Sequence, residues 1–128
     1  MNQIVVQLKH WGAQPEEAVH RMVDDEEFYL KVLIGFYRKK QWEQLSRKVD
    51  DRQFPAAFRI AHDLKGVTAT LGLTPLCEAV SEVVEDLRRE PVSDQMWEQL
   101  SSDMETFREI ADGFEEIMVQ ADDAMAFR

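Results

Sequence analysis

The sequence predicts an all-α fold: an antiparallel four-helix bundle with short N-terminal helices capping one end. Three observations point there. Apolar residues recur at three- and four-residue steps through most of the chain. No segment shows the alternating apolar pattern of a strand. The breaks between periodic segments are short and carry proline, glycine or capping side chains, so successive long helices fold back beside one another. At 128 residues and 45% hydrophobic content, one domain spans 1–128 and is long enough to bury a core. Capping helices occupy 1–23, the bundle 25–112, and a helical extension 113–128.

Ile4, Val5, Leu8 and Trp11 mark a short amphipathic helix that stops before Gly12. Pro15 starts a second, with Glu16 and Glu17 in its first turn and Ala18, Val19, Met22 and Val23 as its buried side. His10 and His20 in these segments have no cation or glycine at matching spacing and are read as surface or packing residues. Asp24-Asp25-Glu26-Glu27 opens the first long helix, with Asp24 as cap and Glu27 reaching back. That helix is expected to run unbroken to about Val49. Its wide apolar surface, from Phe28 and Tyr29 through Leu33 and Phe36 to Trp42 and Leu45, suits a helix with several neighbours. Lys39-Lys40 and Arg47-Lys48 are read as a solvated face.

The polar run Asp50-Asp51-Arg52-Gln53 precedes a helix with Pro55 in its first turn and Gly72 at its end. Ala57, Ile60, Ala61, Leu64, Val67, Thr68 and Leu71 form its expected buried stripe. Thr74-Pro75 reads as a cap followed by proline at the first helical position. The next helix runs to about Glu90, on a stripe of Leu76, Ala79, Val80, Val83, Val84 and Leu87. Cys77 on it behaves as a packing residue. Pro91-Val92-Ser93 breaks the chain, with Ser93 as the next cap. From Trp97 to Met125 the apolar positions alternate three and four without a fault across Gly113, a coiled-coil-type seam on a helix on the order of 45–50 Å long. Its end either overhangs the shorter partners, offering an apolar homodimer or partner surface, or folds back on its own chain.

Composition narrows the function classes. A net charge of -10 disfavours nucleic acid, whose phosphates need a basic patch, and also an anionic membrane surface. The single cysteine cannot form an internal disulfide, which fits a reducing, cytoplasmic location. No apolar run reaches the length of a membrane span, and no signal peptide, phosphate loop or repeat is visible. Met1 and the N-terminal lid fit a free-standing protein.

The chemistry gathers on one helix face. His62, Lys65, Gly66 and Ala69 fall opposite the buried stripe, together with Phe58 and Arg59. An exposed, ordinary imidazole is mostly neutral at cytosolic pH and can attack a phosphoryl group. Lys65, one turn on, is placed to stabilise charge on phosphoryl oxygens. Gly66 sits mid-helix, where glycine costs roughly 1 kcal/mol against alanine. Such a cost on an outer face suggests that a second protein approaches the backbone there, with Phe58 on the rim. The plain alternative is an exposed histidine and lysine with no role. A metal-binding bundle is a weaker reading, because the inward Glu-x-x-His pairs of such bundles are missing and no metal ligands are expected.

The run Ala61-His62-Asp63-Leu64-Lys65-Gly66 followed by Leu71-Gly72 resembles the signature of histidine phosphotransfer (HPt) domains, A-H-x-L-K-G-x-x-x-x-(L/I)-G. Pro15-Glu16-Glu17-Ala18 through Phe28-Tyr29 and Leu33 to Phe36 resembles the family's opening helices. Leu76-Cys77 with Val80 resembles its following helix, although Ser81 stands where a glutamate is frequent. The likeness covers roughly residues 13–90. It implies a phosphorelay intermediate that accepts a phosphoryl group from an aspartate of one response-regulator receiver domain, or of a hybrid histidine kinase, and passes it to another. By position, His62 would be the phospho-accepting residue, Lys65 the charge-stabilising one and Gly66 the small residue that admits the receiver. Phe58, Arg59 and Ala69 would lie in the docking surface. The receiver brings the magnesium ion, so no cofactor is expected here. With no ATP-binding domain, the chain is expected to be a carrier without autokinase activity. Asp63 adds a negative charge beside the site. The competing class is a non-catalytic adaptor or inhibitor that docks receivers or a histidine kinase.

Overall fold

A computed structural model describes residues 2–89 and 92–126, with side chains described through Ala121. Seven helices follow one another among the described residues: α1 (Gln3–Trp11), α2 (Pro15–Arg21), α3 (Glu26–Lys39), α4 (Gln41–Asp50), α5 (Phe54–Thr70), α6 (Thr74–Arg88) and α7 (Asp94–Ala126). No strand accompanies them among the described residues. Helices α4, α5, α6 and α7 each pack on the next, and α4 also touches α7, so the four close a ring around the core. Their facing residues are buried on every side: Leu45 and Val49 from α4, Ala61 and Leu64 from α5, Val80 and Val83 from α6, Leu100 and Met104 from α7.

The expected first long helix is two helices. Lys40 takes a left-handed conformation (φ 49°), closing α3 and opening α4. Nothing in the apolar pattern signals the break, because both halves keep a buried face and lysine is not a residue that favours φ > 0. Two contacts hold Lys40 there. Its Nζ lies 2.6 Å from Glu115 Oε1 and 4.7 Å from the centre of the Tyr37 ring. The hydrogen bond to Glu115 raises the lysine's pKa.

Two caps are shifted from their expected positions. Asp25, not Asp24, caps α3: its carboxylate accepts from Phe28 N at 3.0 Å. Thr74 is the first residue of α6 rather than its cap; Leu73 precedes it, and Pro75 falls within the first two positions. Ser93 does accept from Met96 N, at 3.3 Å. The adjoining Pro91 lies outside the described residues.

Helix α7 runs unbroken through Gly113 for 33 residues, about 50 Å. Its distal seam does not stand out as an apolar overhang, since Phe114, Met118 and Ala121 are buried. Helix α1 packs along this half. Trp11, Phe36, Tyr37 and Trp42 surround Phe114, with ring centres 5.7 to 6.4 Å from it. Gly113 makes room for this arrangement: a Cβ there would lie 3.1 Å from Trp11 Nε1. Through Ala121 the seam is thus covered by the chain's own helices, as in the fold-back alternative, and does not offer the apolar surface of the overhang alternative. The seam's last residue, Met125, lies outside the described side chains.

The segment from Gly12 to Tyr29 caps the bundle end where α5 turns into α6. Gly72 has φ 70°, and a Cβ on it would lie 2.4 Å from Gln14 O. Gln14 N donates to Gly72 O at 2.7 Å. Tyr29, fully buried, donates from its hydroxyl to Leu71 O at 2.8 Å, and burial pushes its pKa well above the usual phenol value. Val23 was expected on the buried side of α2 but is 89% exposed. Helix α2 stops at Arg21, and successive left-handed residues Val23 and Asp24 (φ 59° and 57°) turn the chain outward.

One titratable pair sits between α6 and α7. Asp86 Oδ2 is buried and accepts no hydrogen bond from an N–H or hydroxyl group among the described residues. Burial first, then the hydrogen bond to Asp103 and its charge, push the Asp86 carboxyl up to about 7; Glu82 adds to the effect and Arg89 opposes it. Gln99 Nε2 donates to both oxygens of Asp103, at 3.2 and 3.1 Å.

Two measurements follow. Gly72→Ala should lower unfolding stability by at least about 1–2 kcal/mol from the left-handed conformation alone, with the clash against Gln14 adding to it; a urea titration matching the parent would contradict the close approach. Asp86 binds its proton more tightly folded than unfolded, so its contribution favours the fold below pH 4 and is lost as pH rises through about 7. Asp86→Asn should therefore flatten the fall in melting temperature between pH 5 and 8. An unchanged slope would assign that fall to other groups.

Candidate functional site

Helix α5 carries the whole candidate face. Ala57, Ala61, Leu64 and Thr68 point inward and are buried, as the three- and four-residue spacing requires. His62, Gly66, Ala69 and Arg59 are exposed on the other side, and Phe58 and Lys65 are half-buried. Two members of the expected stripe sit at its edge: Ile60 is half-buried and Val67 is 36% exposed.

The His62 imidazole is unengaged. Neither it nor the Lys65 ammonium takes part in a hydrogen bond or ion pair among the described residues. Its near neighbour is Phe58, one turn earlier, with ring centres 6.0 Å apart at an interplanar angle of 36°. Above Gly66 the space is open: a Cβ there would meet no atom within 4 Å. The glycine is thus not required by packing within the chain. Gly35 on α3 shows the same open space without a histidine beside it, so an exposed glycine alone marks nothing. The coincidence of Gly66 with His62 and Lys65 on one face distinguishes this stretch.

The backbone under the face is pinned. Thr68 Oγ1 donates to Leu64 O at 2.7 Å and to Lys65 O at 3.2 Å, and Thr70 Oγ1 donates to Gly66 O at 3.0 Å. Cys77 Sγ approaches Lys65 O at 3.8 Å, a packing role with a weak S–H donor. Arg21 Nη1 donates to Ala69 O at 2.9 Å and to Thr70 O at 2.8 Å, neutralising the negative end of the helix. At the other end of α5, Arg52 stacks on Trp97 of α7 at 4.1 Å, and Phe54 packs against the same ring.

Two contributors escaped sequence reasoning. Arg21 reaches the face from α2. Arg88, at the end of α6, places its guanidinium carbon 5.6 Å from the centre of the Phe58 ring. Neither carries a local signal, because helix spacing relates residues on one helix only. Among the described residues, no group of three or more His, Cys, Asp or Glu side chains could hold a metal ion. Among the described residues, no helix is long and apolar enough to cross a membrane.

The arrangement is a solvent-facing nucleophile with a cation one turn away, on a rigid helix, with clearance for a large partner. The chemistry it can support is transfer of a group to the imidazole from a donor atom held by another macromolecule. The family model described as Hpt domain matches residues 39–118. The match opens at the α3–α4 break and runs to the buried Met118 of α7, so it takes in the four helices of the ring. It leaves out Pro15 to Phe36, which the sequence resemblance had included. Comparisons with curated proteins and with solved structures give no match.

If Gly66 serves no packing purpose, Gly66→Ala should leave the fold intact and raise unfolding stability by up to about 1 kcal/mol. A loss of stability in a denaturant titration would mean that the glycine is structural after all.

Proposed function

The chain belongs to the Hpt domain family, whose members carry phosphoryl groups in two-component signalling, and we propose that it is a phosphorelay intermediate in which His62 is the phospho-accepting residue. The observation that carries the reading is the unengaged His62 imidazole with open space above Gly66, one turn along the same face. In the reaction, a ring nitrogen of His62 attacks the phosphorus of a receiver's phosphoaspartate. The N–P bond forms as the acyl-phosphate P–O bond breaks, and the aspartate carboxylate leaves with the electron pair. The imidazole then sheds its remaining proton to solvent. Return transfer to a second receiver reverses these steps.

Lys65 stabilises the charge on the phosphoryl oxygens as it passes between the two proteins. Gly66 lets the receiver backbone come close enough for in-line approach. Phe58, Arg59 and Ala69 form the docking surface around it. Magnesium arrives with the receiver, whose carboxylates hold it. This chain acts as carrier and acceptor in the cytoplasm, between receiver domains of response regulators or of a hybrid histidine kinase, and does not phosphorylate itself.

The test is phosphoryl transfer from a phosphorylated receiver, run for the parent chain and His62→Gln together. Acid-labile, alkali-stable label on the parent alone is the expected result. Label retained on His62→Gln would remove the site assignment. Receiver binding without label on either chain would favour the adaptor reading instead.

A further inference from the structure

Beside His62, the α5–α6 interface opens into a groove of about 350 Å³ lined by Pro55, Phe58 and Arg59 of α5 and by Leu87 and Arg88 of α6. Its floor is apolar: Leu87 is buried and Phe58 half-buried. Its charged wall residues are two arginines with no carboxylate between them. That is notable in a chain with 25 acidic residues against 15 basic ones. Arg59 makes no ion pair among the described residues. Arg88 has a loose one, its Nε 3.5 Å from Glu85 Oε1, with both side chains more than half exposed. Phe58 joins the groove to the site, since its ring faces His62 at 6.0 Å and the Arg88 guanidinium at 5.6 Å.

We propose that this groove is a specificity subsite for the receiver domain, taking an apolar side chain flanked by a carboxylate from the surface docked over His62. The inference rests on the phosphotransfer reading and adds the chemistry of the partner's contact. Two lines support that occupant. The groove is continuous with the His62 face, so whatever docks there covers it. The charge is complementary to an acidic side chain, because two arginines line the groove with no carboxylate between them. An incoming carboxylate would exchange the exposed Glu85 contact for a desolvated, two-arginine one, which can be bidentate. Such a contact fixes the register of the partner on His62 and favours acidic receivers over neutral ones.

The experiment uses a receiver domain that phosphorylates the parent chain and compares transfer rates at low and high ionic strength. Arg88→Glu should slow transfer roughly tenfold at low salt, and the gap to the parent should narrow as salt screens the repulsion. Arg47→Glu makes the same change in net charge on the exposed face of α4 and should transfer like the parent. Arg88→Gln, which removes the charge without reversing it, should show a smaller loss and covers the case in which Arg88→Glu fails to fold. Equal losses in Arg88→Glu and Arg47→Glu, or an Arg88→Gln rate equal to the parent's at low salt, would overturn the assignment. Phosphoramidate separates this failure from a deeper one, because it phosphorylates histidine without a docked protein. A parent chain that accepts phosphoryl neither from phosphoramidate nor from any receiver overturns the phosphotransfer reading, and the groove assignment falls with it.

Discussion

Every backbone carbonyl from Leu64 to Gly72 has a donor: side chains of Thr68 and Thr70 under the site, backbone N–H groups of Leu71, Gly72 and Leu73 at the turn, and then Arg21, Tyr29 and Gln14 from the N-terminal segment. The last carbonyls of a helix normally lack intrahelical partners and fray. Here the exposed end is bound to three separate elements, one of its bonds being the buried Tyr29 hydroxyl. That constraint sets the rest of the arrangement. It fixes where α5 ends, draws α2 and α3 over that end, and requires glycine at position 72 so that Gln14 can approach.

For the phosphotransfer proposed above, the consequence is an imidazole presented on a stiff support. His62 lies two turns before the pinned end and one turn after Phe58, on a helix held at its start by Arg52 and Phe54 against Trp97. Transfer between two proteins needs the acceptor atom at a defined place before the partner arrives. A loop would have to be ordered on docking, at the cost of the binding free energy. The open space over Gly66 and the free imidazole show the other side of the same economy: little on this face is committed to intramolecular contacts.

The face of α5 was legible from spacing because a single helix relates its own residues by a fixed rotation. The helix class, the caps at Gly12 and Ser93, and the break at Gly72 were legible for the same local reasons. What spacing could not reach was set by distant contacts. Lys40 adopts φ 49° where its local sequence favours continuation, with Glu115 and Tyr37 holding it. Phe114 continues a seam that looked unpartnered until α1 and α3 brought their rings around it. Arg88 and Phe58 are neighbours only because α5 and α6 pack side by side. Val67, one step from the stripe centre, shows how narrow a helix's buried arc is once its neighbours are in place.

The stretch that identifies the family and the stretch that stands as a folded body are not the same length. The Hpt match begins at Lys39, yet Gln14, Arg21 and Tyr29 fill the bonds at the end of α5, and Trp11 and Phe36 cover Phe114. A transplant cut at the edges of the match would carry the histidine and its cation but strip the turn beside them and bare an aromatic ring on α7. In this chain the portable chemical motif is small, whereas the body that keeps it in position includes the N-terminal helices.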